Sequence, residues 1–439
     1  MSDNYGHKLN PNRKMKNPLA IKGIRQTTVI TNNPSTIGQN ELLTVRFPNL
    51  GSDDVIVPGT TKLSFNIRLK SENDDNRTIV NNIGRAIVKK ITIKIEGNEV
   101  FSLDDADIFH CYKDMWLPKD QLMNMVYQGY HLNKDGTVAD NIGKLRVNAG
   151  DKVANKNDGQ DQAIALAYDN RFCIPLDFEM LRDHMPFYQS GLGDRLSYEL
   201  TFNSYPKVVK STDNEASYII SGISLEYEMI TNENLARMIR NQYQSKMAVY
   251  YERVLRHRQM TLNKKDTIWN INLNTPARSM KGILFIFVDP ADDGGGANFK
   301  RDTEKYYNPK IKKTTITVEG KPNQLYAEGL YRYQHWDEIN KFFGDAITEH
   351  GMHVAKALNM SNVKLHDFLT TKYALWLDMR STDDNSLHGS GRRVENGSEG
   401  ITIQLEREAE AEGSLICYLY VIMDAQLNID KGRLVNALY

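Results

Sequence analysis

The chain has 439 residues, 40% hydrophobic and 25% charged, with 55 Lys and Arg against 55 Asp and Glu. That composition excludes global disorder, and zero net charge excludes a whole-molecule positive field of the kind that drives strong, salt-dependent nucleic-acid binding. The chain exceeds the length at which a single core keeps growing, so two domains of about 200 residues each are expected.

Residues 1–39 read as a mobile basic arm, with Lys8, Arg13, Lys14, Lys16, Lys22 and Arg25 against the single acid Asp3. The first 30 residues hold no continuous apolar run. The longest apolar stretches, such as Gly282–Val288, are strand length, so neither a secretory leader nor a membrane-spanning helix is expected. Strands are predicted at Leu42–Phe47, Lys62–Leu69, Ala86–Glu96, Arg171–Leu176, Arg195–Phe202 and Ser217–Met229, separated by Gly, Pro, Asn and Asp clusters. Ser217–Met229 alternates imperfectly, with one wet face. Thr231 is placed to cap a helix whose Leu235, Met238, Ile239 and Gln242 share one side, and the domain boundary is placed there. The second half supplies Tyr250–Leu262, Thr267–Leu273, Ser279–Asp289, Lys310–Glu319, Lys372–Met379, Gly400–Glu406 and Leu415–Ala425. Many short strands joined by long loops predict sandwich-like β halves.

The two halves echo each other. Val88-Lys-Lys-Ile-Thr-Ile-Lys-Ile-Glu-Gly97 returns as Ile311-Lys-Lys-Thr-Thr-Ile-Thr-Val-Glu-Gly320, identical at six of ten positions and apolar at every second one. That is a strand with one buried face closed by a Glu-Gly turn. Each copy runs into an aromatic segment. Ser102-Leu-Asp-Asp105 reads as a capping box for a helix carrying Ile108, Tyr112, Met115 and Trp116, and its counterpart runs from Leu330 through Tyr333 and Trp336 to Phe342. Polar stretches at Leu132–Asp161 and Thr382–Glu399, and the Asp292–Gly296 run, are where contact with an outside partner is expected.

A catalytic constellation is not evident. Asp104, Asp105 and Asp107 are accounted for by the dipole of the helix they precede or begin. Asp151–Asp161 and Asp289–Gly296 lack the register of a calcium loop, and Gly389-Ser-Gly-Arg-Arg393 lacks the Lys-Ser/Thr ending of a phosphate loop. His110, His353 and His366 make no ligand pair, and Cys111, Cys173 and Cys417 have neither zinc nor disulfide spacing, reading instead as buried thiols of a reducing compartment. No metal, cofactor or catalytic residue is therefore assigned. The aromatic residues, among them Tyr250, Tyr251, Tyr306, Tyr307 and Trp376, fall in or beside strands, which favours packing over a sugar-binding face.

The run Arg171-Phe-Cys-Ile-Pro-Leu-Asp-Phe178, then Met185-Pro-Phe187 and Leu196-Ser-Tyr-Glu-Leu200, with Pro276-Ala-Arg-Ser-Met-Lys-Gly-Ile-Leu284 in the second half, resembles double jelly-roll major capsid proteins of the adenovirus/tectivirus-like lineage. Those of adintoviruses and Polinton-like viruses are the nearest in pattern. The likeness runs from about Asn40 to the C-terminus and includes a helix after the fourth strand of each half. It implies an all-β chain of two tandem eight-stranded jelly-roll β-sandwiches with short inserted helices: arm 1–39, first roll 40–230, linker helix 231–246, second roll 247–439. It further implies a non-enzymatic capsid subunit in the virion of a DNA virus, forming pseudo-hexameric homotrimers that tile an icosahedral shell. Implied partners are neighbouring capsomers, penton and minor capsid or cement proteins, and an internal membrane or genome reached by the basic arm. Under the same resemblance the long loops face outward and the aromatic helices brace subunit interfaces. The alternative is a carbohydrate-binding or glycoside-cleaving β-sandwich protein, which requires a facing pair of acids in an aromatic cleft.

Overall fold

The computed structural model describes residues 23–26, 36–47, 50–57, 59–70, 78–118, 121–122, 124–130, 171–176, 192, 195–210, 217–295, 301–323, 326–346, 362–380, 391–394 and 400–439. In chain order the first half contributes β1 (Gly23–Gln26), β2 (Thr36–Gly38), β3 (Leu42–Arg46), β4 (Asp54–Ile56), β5 (Lys62–Lys70) and β6 (Thr78–Ile79). Then follow the one-turn helix α1 (Ile83–Ala86), β7 (Val88–Ile95), β8 (Asn98–Asp104), α2 (Ala106–Asp114), β9 (Arg171–Pro175), β10 (Leu196–Phe202), α3 (Tyr205–Val208), β11 (Val209–Lys210) and β12 (Ser217–Thr231). The helix α4 (Glu233–Gln244) leads to β13 (Met247–Asn263), β14 (Ile268–Leu273), β15 (Ala277–Val288), β16 (Ile311–Val318), β17 (Lys321–Pro322) and β18 (Leu330–Tyr331). The chain ends with α5 (His335–Ala346), α6 (Leu365–Thr370), β19 (Ala374–Asp378), β20 (Arg392–Val394), β21 (Ile401–Arg407), β22 (Ser414–Asp430) and β23 (Arg433–Leu438).

Sheet order decides the architecture. The first half pairs β1–β12–β5–β9 in one sheet and β3–β10–β7–β8 in the other. The second pairs β13–β22–β15–β19 and β14–β21–β16–β17. If the eight strands of each half are lettered B to I in chain order, both halves read B-I-D-G facing C-H-E-F. That double Greek key is the eight-stranded jelly roll, and it occurs twice. No described sheet mixes strands from the two sides of α4. Each core comes from alternation: Leu196, Tyr198, Leu200 and Phe202 of β10, Ile91, Ile93 and Ile95 of β7, and Trp269, Ile271 and Leu273 of β14 all point inward. A buried aliphatic side chain of this kind contributes about 1.5–3 kcal/mol.

The echoed strands, β7 and β16, are strand E of their rolls. Their Glu-Gly turns agree in detail: Glu96 and Gly97 have φ of 52° and 83°, and Glu319 and Gly320 have 51° and 73°. Two consecutive positive φ values make the hairpin turn that suits strand twist, and glycine at the second position adopts it without Cβ strain. In each roll the inserted helix follows the fifth strand, not the fourth, because the short strand F of the hairpin intervenes.

Several local expectations change for physical reasons. The imperfect alternation of β12 is a β-bulge at Ser221–Ser224: Tyr218 and Ile220 point inward before it, Ile223, Leu225, Tyr227 and Met229 after it, and Gly222 takes φ 59°. Asn232 caps α4, its side chain accepting from Leu235 N at 3.0 Å, so Thr231 ends the strand. The buried face of α4 is Ala236, Ile239 and Tyr243, and Met238 is exposed. Ser102 belongs to β8, across from Thr92, and the capping box does not form; the residue before α2 is Asp105, in left-handed conformation. The strand expected from Ala86 begins at Val88, after α1.

The arm 1–39 is not all tail. Gly23–Gln26 pairs with Glu226–Met229, and Thr36–Gly38 with Ile219–Ser221, along the edge of β12 opposite β5. The 15-residue β12 leaves that edge of backbone donors and acceptors open, and these strands satisfy it. Lys8, Arg13, Lys14, Lys16 and Lys22 lie outside the described residues, and Arg25 lies in β1. The loop Leu132–Asp161 and most of Thr382–Glu399 also lie outside them.

Candidate functional site at the junction of the two rolls

Buried charge concentrates where the rolls meet. The segment Arg301–Tyr307, joining strands D and E of the second roll, inserts into the first. Arg301 Nη2 donates to Asp107 Oδ2 at 2.6 Å and Nη1 to the Lys207 carbonyl at 2.9 Å, with the Arg301 side chain 2% exposed. Asp293 completes the group: it accepts from the Tyr418 hydroxyl at 2.6 Å, and Lys207 Nζ lies 3.1 Å away. A few ångströms on, Arg256 donates to Asp105 Oδ2 at 2.5 Å, the Tyr420 hydroxyl donates to the Asp105 carbonyl at 2.8 Å, and the Tyr251 hydroxyl to the Val100 carbonyl at 2.6 Å. Burial, and the charge of Asp107 beside it, raise the Asp105 carboxyl above its ordinary range despite Arg256. The three acids attributed to a helix dipole thus reach arginines of the other roll, Asp104 more distantly, 3.9 Å from Arg256.

Beside this group the two aromatic helices face each other within one chain. Trp116, in the turn just past α2, stacks on Phe343 (5.5 Å, 13°) and Trp336 (5.8 Å, 30°) of α5, while Tyr112 of α2 sits edge-on to Phe343 at 5.4 Å and to Tyr306 at 4.9 Å. They brace the junction between rolls, so the expected placement at a subunit interface is corrected for these rings. The aromatic spacing that predicted two amphipathic helices contained no information about which surface each would meet.

Glu304 is the unusual member. It is 7% exposed, its carboxyl oxygens meet no partner at full hydrogen-bond geometry although the Tyr130 hydroxyl lies beside them, and Lys372 Nζ is 4.0 Å away. Burial, weakened by Lys372, pushes its carboxyl up to about 8. The folded protein therefore keeps a proton that the unfolded chain releases near 4.5, so stability from this group falls as pH rises from about 4.5 to about 8. Replacing Glu304 by Gln is expected to flatten that slope and raise the melting temperature at pH 9 relative to the unmodified chain. Melting curves at pH 6 and pH 9 check this, and an unchanged slope would contradict it.

The acids are met by arginine, lysine or tyrosine, the carboxyl of Glu304 is enclosed, and among the described residues no group of three His, Cys, Asp or Glu is arranged to hold a metal ion. His110 is buried against the Ala106 carbonyl at 2.9 Å, His366 is exposed on α6, and His353 lies outside the described residues. The three cysteines are buried, as expected, and none of them is joined to another by a disulfide. Arg392 and Arg393 lie in β20. Arg301 and Glu304 were missed because their polar sequence context gave no signal, and Asp293, in the run where contact with an outside partner was expected, is instead buried at the junction.

No family model matches the sequence, and the search of curated proteins found no match to it. Solved structures are similar in fold. The capsid of the virus PBCV-1 is similar over 96% of this chain and 98% of that one, with 12% identity and a TM-score of 0.58. For the Faustovirus major capsid protein the shares are 94% and 92%, with 8% identity and a TM-score of 0.54. The mavirus major capsid protein gives 95% and 90%, with 11% identity and a TM-score of 0.51. With strand order B-I-D-G and C-H-E-F repeated across a buried junction, the chain has the double jelly-roll fold that these capsid proteins share.

Proposed function

We propose that the chain is a viral major capsid protein that assembles as a pseudo-hexameric homotrimer and tiles an icosahedral shell in the virion of a DNA virus. The observation that carries this reading is the pairing of two rolls of one topology in a single chain, joined through a buried junction, with similarity to capsid proteins along nearly the full length of both partners. Two like domains per chain let three chains imitate sixfold symmetry, and a closed ring reuses one interface. We assign the division at 231–246, the rolls to 40–230 and 247–439, and no catalytic, cofactor or metal site. Of the aromatic side chains weighed for an alternative sugar-binding cleft, Tyr251, Tyr306 and Trp376 are buried, which disfavours that reading, and Tyr250 is exposed on β13. The basic residues Lys8, Arg13, Lys14, Lys16 and Lys22 are assigned to contact with genome, membrane or a neighbouring capsomer, and penton and cement proteins are the further partners.

The test is mass and shape. Purified protein is expected at three times 50.2 kDa by light scattering, with hexagonal outlines in negative stain. A stable monomer over the micromolar range would overturn the proposal.

A further inference from the structure

The fall in stability expected as Glu304 loses its proton does not say which contacts give way. Their arrangement does. Segment 301–307 contributes no strand to either sheet of the second roll and forms a strap laid against the first. It is tied to its own roll near both ends, by Asp302 N to the Asp292 carbonyl at 2.9 Å, Tyr306 N to the Thr371 carbonyl at 2.5 Å and Tyr307 N to the Phe287 carbonyl at 2.7 Å. It meets the first roll through Arg301 on Asp107 and the Lys207 carbonyl, the Thr303 hydroxyl donating to the Asn81 carbonyl at 3.0 Å, and the Tyr306 ring edge-on to Tyr112. Glu304 stands mid-strap with its carboxyl enclosed between the rolls. The titratable and charged groups around it are Asp302 and Tyr306 on the strap, Lys372 ahead of β19, Tyr130 of the first roll, and Asp114 and Cys111 of α2. Of the cations, Arg85 is engaged by Asp114 at 3.2 Å and Arg301 by Asp107, and Lys372 stands 4.0 Å off.

An ionised carboxylate enclosed there lacks both water and full hydrogen bonds, so the closed junction holds it as the neutral acid. Returning water to it requires the strap to lift from α2 and leaves both sandwiches closed, since each roll keeps its own two sheets. We propose that the strap 301–307 is a proton-controlled latch between the rolls, shut while Glu304 holds its proton and released from the first roll, with both sandwiches intact, when Glu304 ionises. The latch goes beyond the assembly reading and does not depend on it. Burial pushes the enclosed carboxyl up to about 8, against an ordinary 4.5 once it is hydrated. The open form therefore holds fewer protons, so opening grows about tenfold per pH unit between those values and levels off above about 8. A reporter lies under the strap. Asp107, Cys111 and Asp114 follow one another at one-turn spacing on the face of α2 that Arg301 touches, and Cys111 is 1% exposed, with Arg301 and Glu304 both acting on its thiol. Cys417, buried within β22, reports on the second sandwich itself.

The experiment is iodoacetamide labelling of the full chain and of Glu304→Gln between pH 6 and pH 9, read cysteine by cysteine from peptide masses. Glutamine keeps the shape of the side chain and never ionises, so the ratio of the two Cys111 rates cancels the pH dependence of the thiol chemistry. That ratio, unmodified over variant, is expected to rise about 100-fold from pH 6 to pH 9 while Cys417 stays protected in both. A flat ratio overturns the latch. So does Cys417 labelling in step with Cys111, which places the loss in the whole fold. The unmodified chain carries the answer even if the variant does not fold. Thiolate formation alone raises the Cys111 rate about tenfold per pH unit below pH 8, whereas thiolate formation and latch together raise it about 100-fold per unit, and the smaller slope overturns the proposal.

Discussion

Replacing Arg301 by Met is expected to destabilise the folded chain by about 3–5 kcal/mol, because it removes the cation that offsets Asp107 and lies beside Asp293 in a junction closed to water. Arg301 is not acting as a simple point charge. Its guanidinium reaches the Lys207 carbonyl with one nitrogen and Asp107 with another, two directions that lysine cannot serve at once, so Arg301→Lys should recover only part of the loss. Adding Asp107→Leu to Arg301→Met should recover more than lysine does, since removing both members of a buried pair leaves no uncompensated charge. Urea midpoints for the three variants measure the effect. An unchanged midpoint in Arg301→Met would show that the ion group contributes nothing to holding the rolls together.

Trp116→Ala is expected to cost about 3–5 kcal/mol, the range for truncating a large buried aromatic side chain. Its more diagnostic consequence concerns cooperativity. Trp116 touches Phe343 and Trp336 of the second roll and Tyr112 and Phe368 around it, so its loss empties the middle of the apolar half of the junction. Calorimetry on the unmodified chain should give one transition, and on Trp116→Ala two, as each roll melts around its own core. A single transition in the variant, shifted but not split, would place the coupling in the ion group alone.

Both predictions concern residues whose importance was only half visible in the sequence. Trp116 was placed on an amphipathic helix by its spacing with Ile108, Tyr112 and Met115, all of which are buried. That its partner is the equivalent helix of the other roll was not visible, since periodicity reports a buried face and not what covers it. Arg301 lies in a polar segment after Asp292-Asp-Gly-Gly-Gly296 that reads as solvated loop. It is buried because strands D and E of the second roll are joined across the first roll, a matter of long-range topology. Glu304 follows the same rule: its carboxyl is pushed up to about 8 chiefly by burial, to which Asp302 two residues away adds only a smaller push.

The sequence by itself determined the local periods. Alternation in β7, β10, β14 and β16 set which side chains face inward, and the Glu-Gly pairs at Glu96–Gly97 and Glu319–Gly320 specified two hairpins at the same place in two halves, because positive φ is a property of the turn residues themselves. Tertiary structure decided everything that needed a partner distant in sequence: the pairing of β1 and β2 with the open edge of β12, the bulge that turns β12 over at Gly222, and the meeting of Asp105 and Asp107 with Arg256 and Arg301. It also decided that β22 would be buried on both sides, one facing its own core and the other carrying Tyr418 and Tyr420 into the junction. Backbone conformation and side-chain alternation are fixed within a few residues, whereas compensation of a buried charge depends on which surfaces the whole chain brings together.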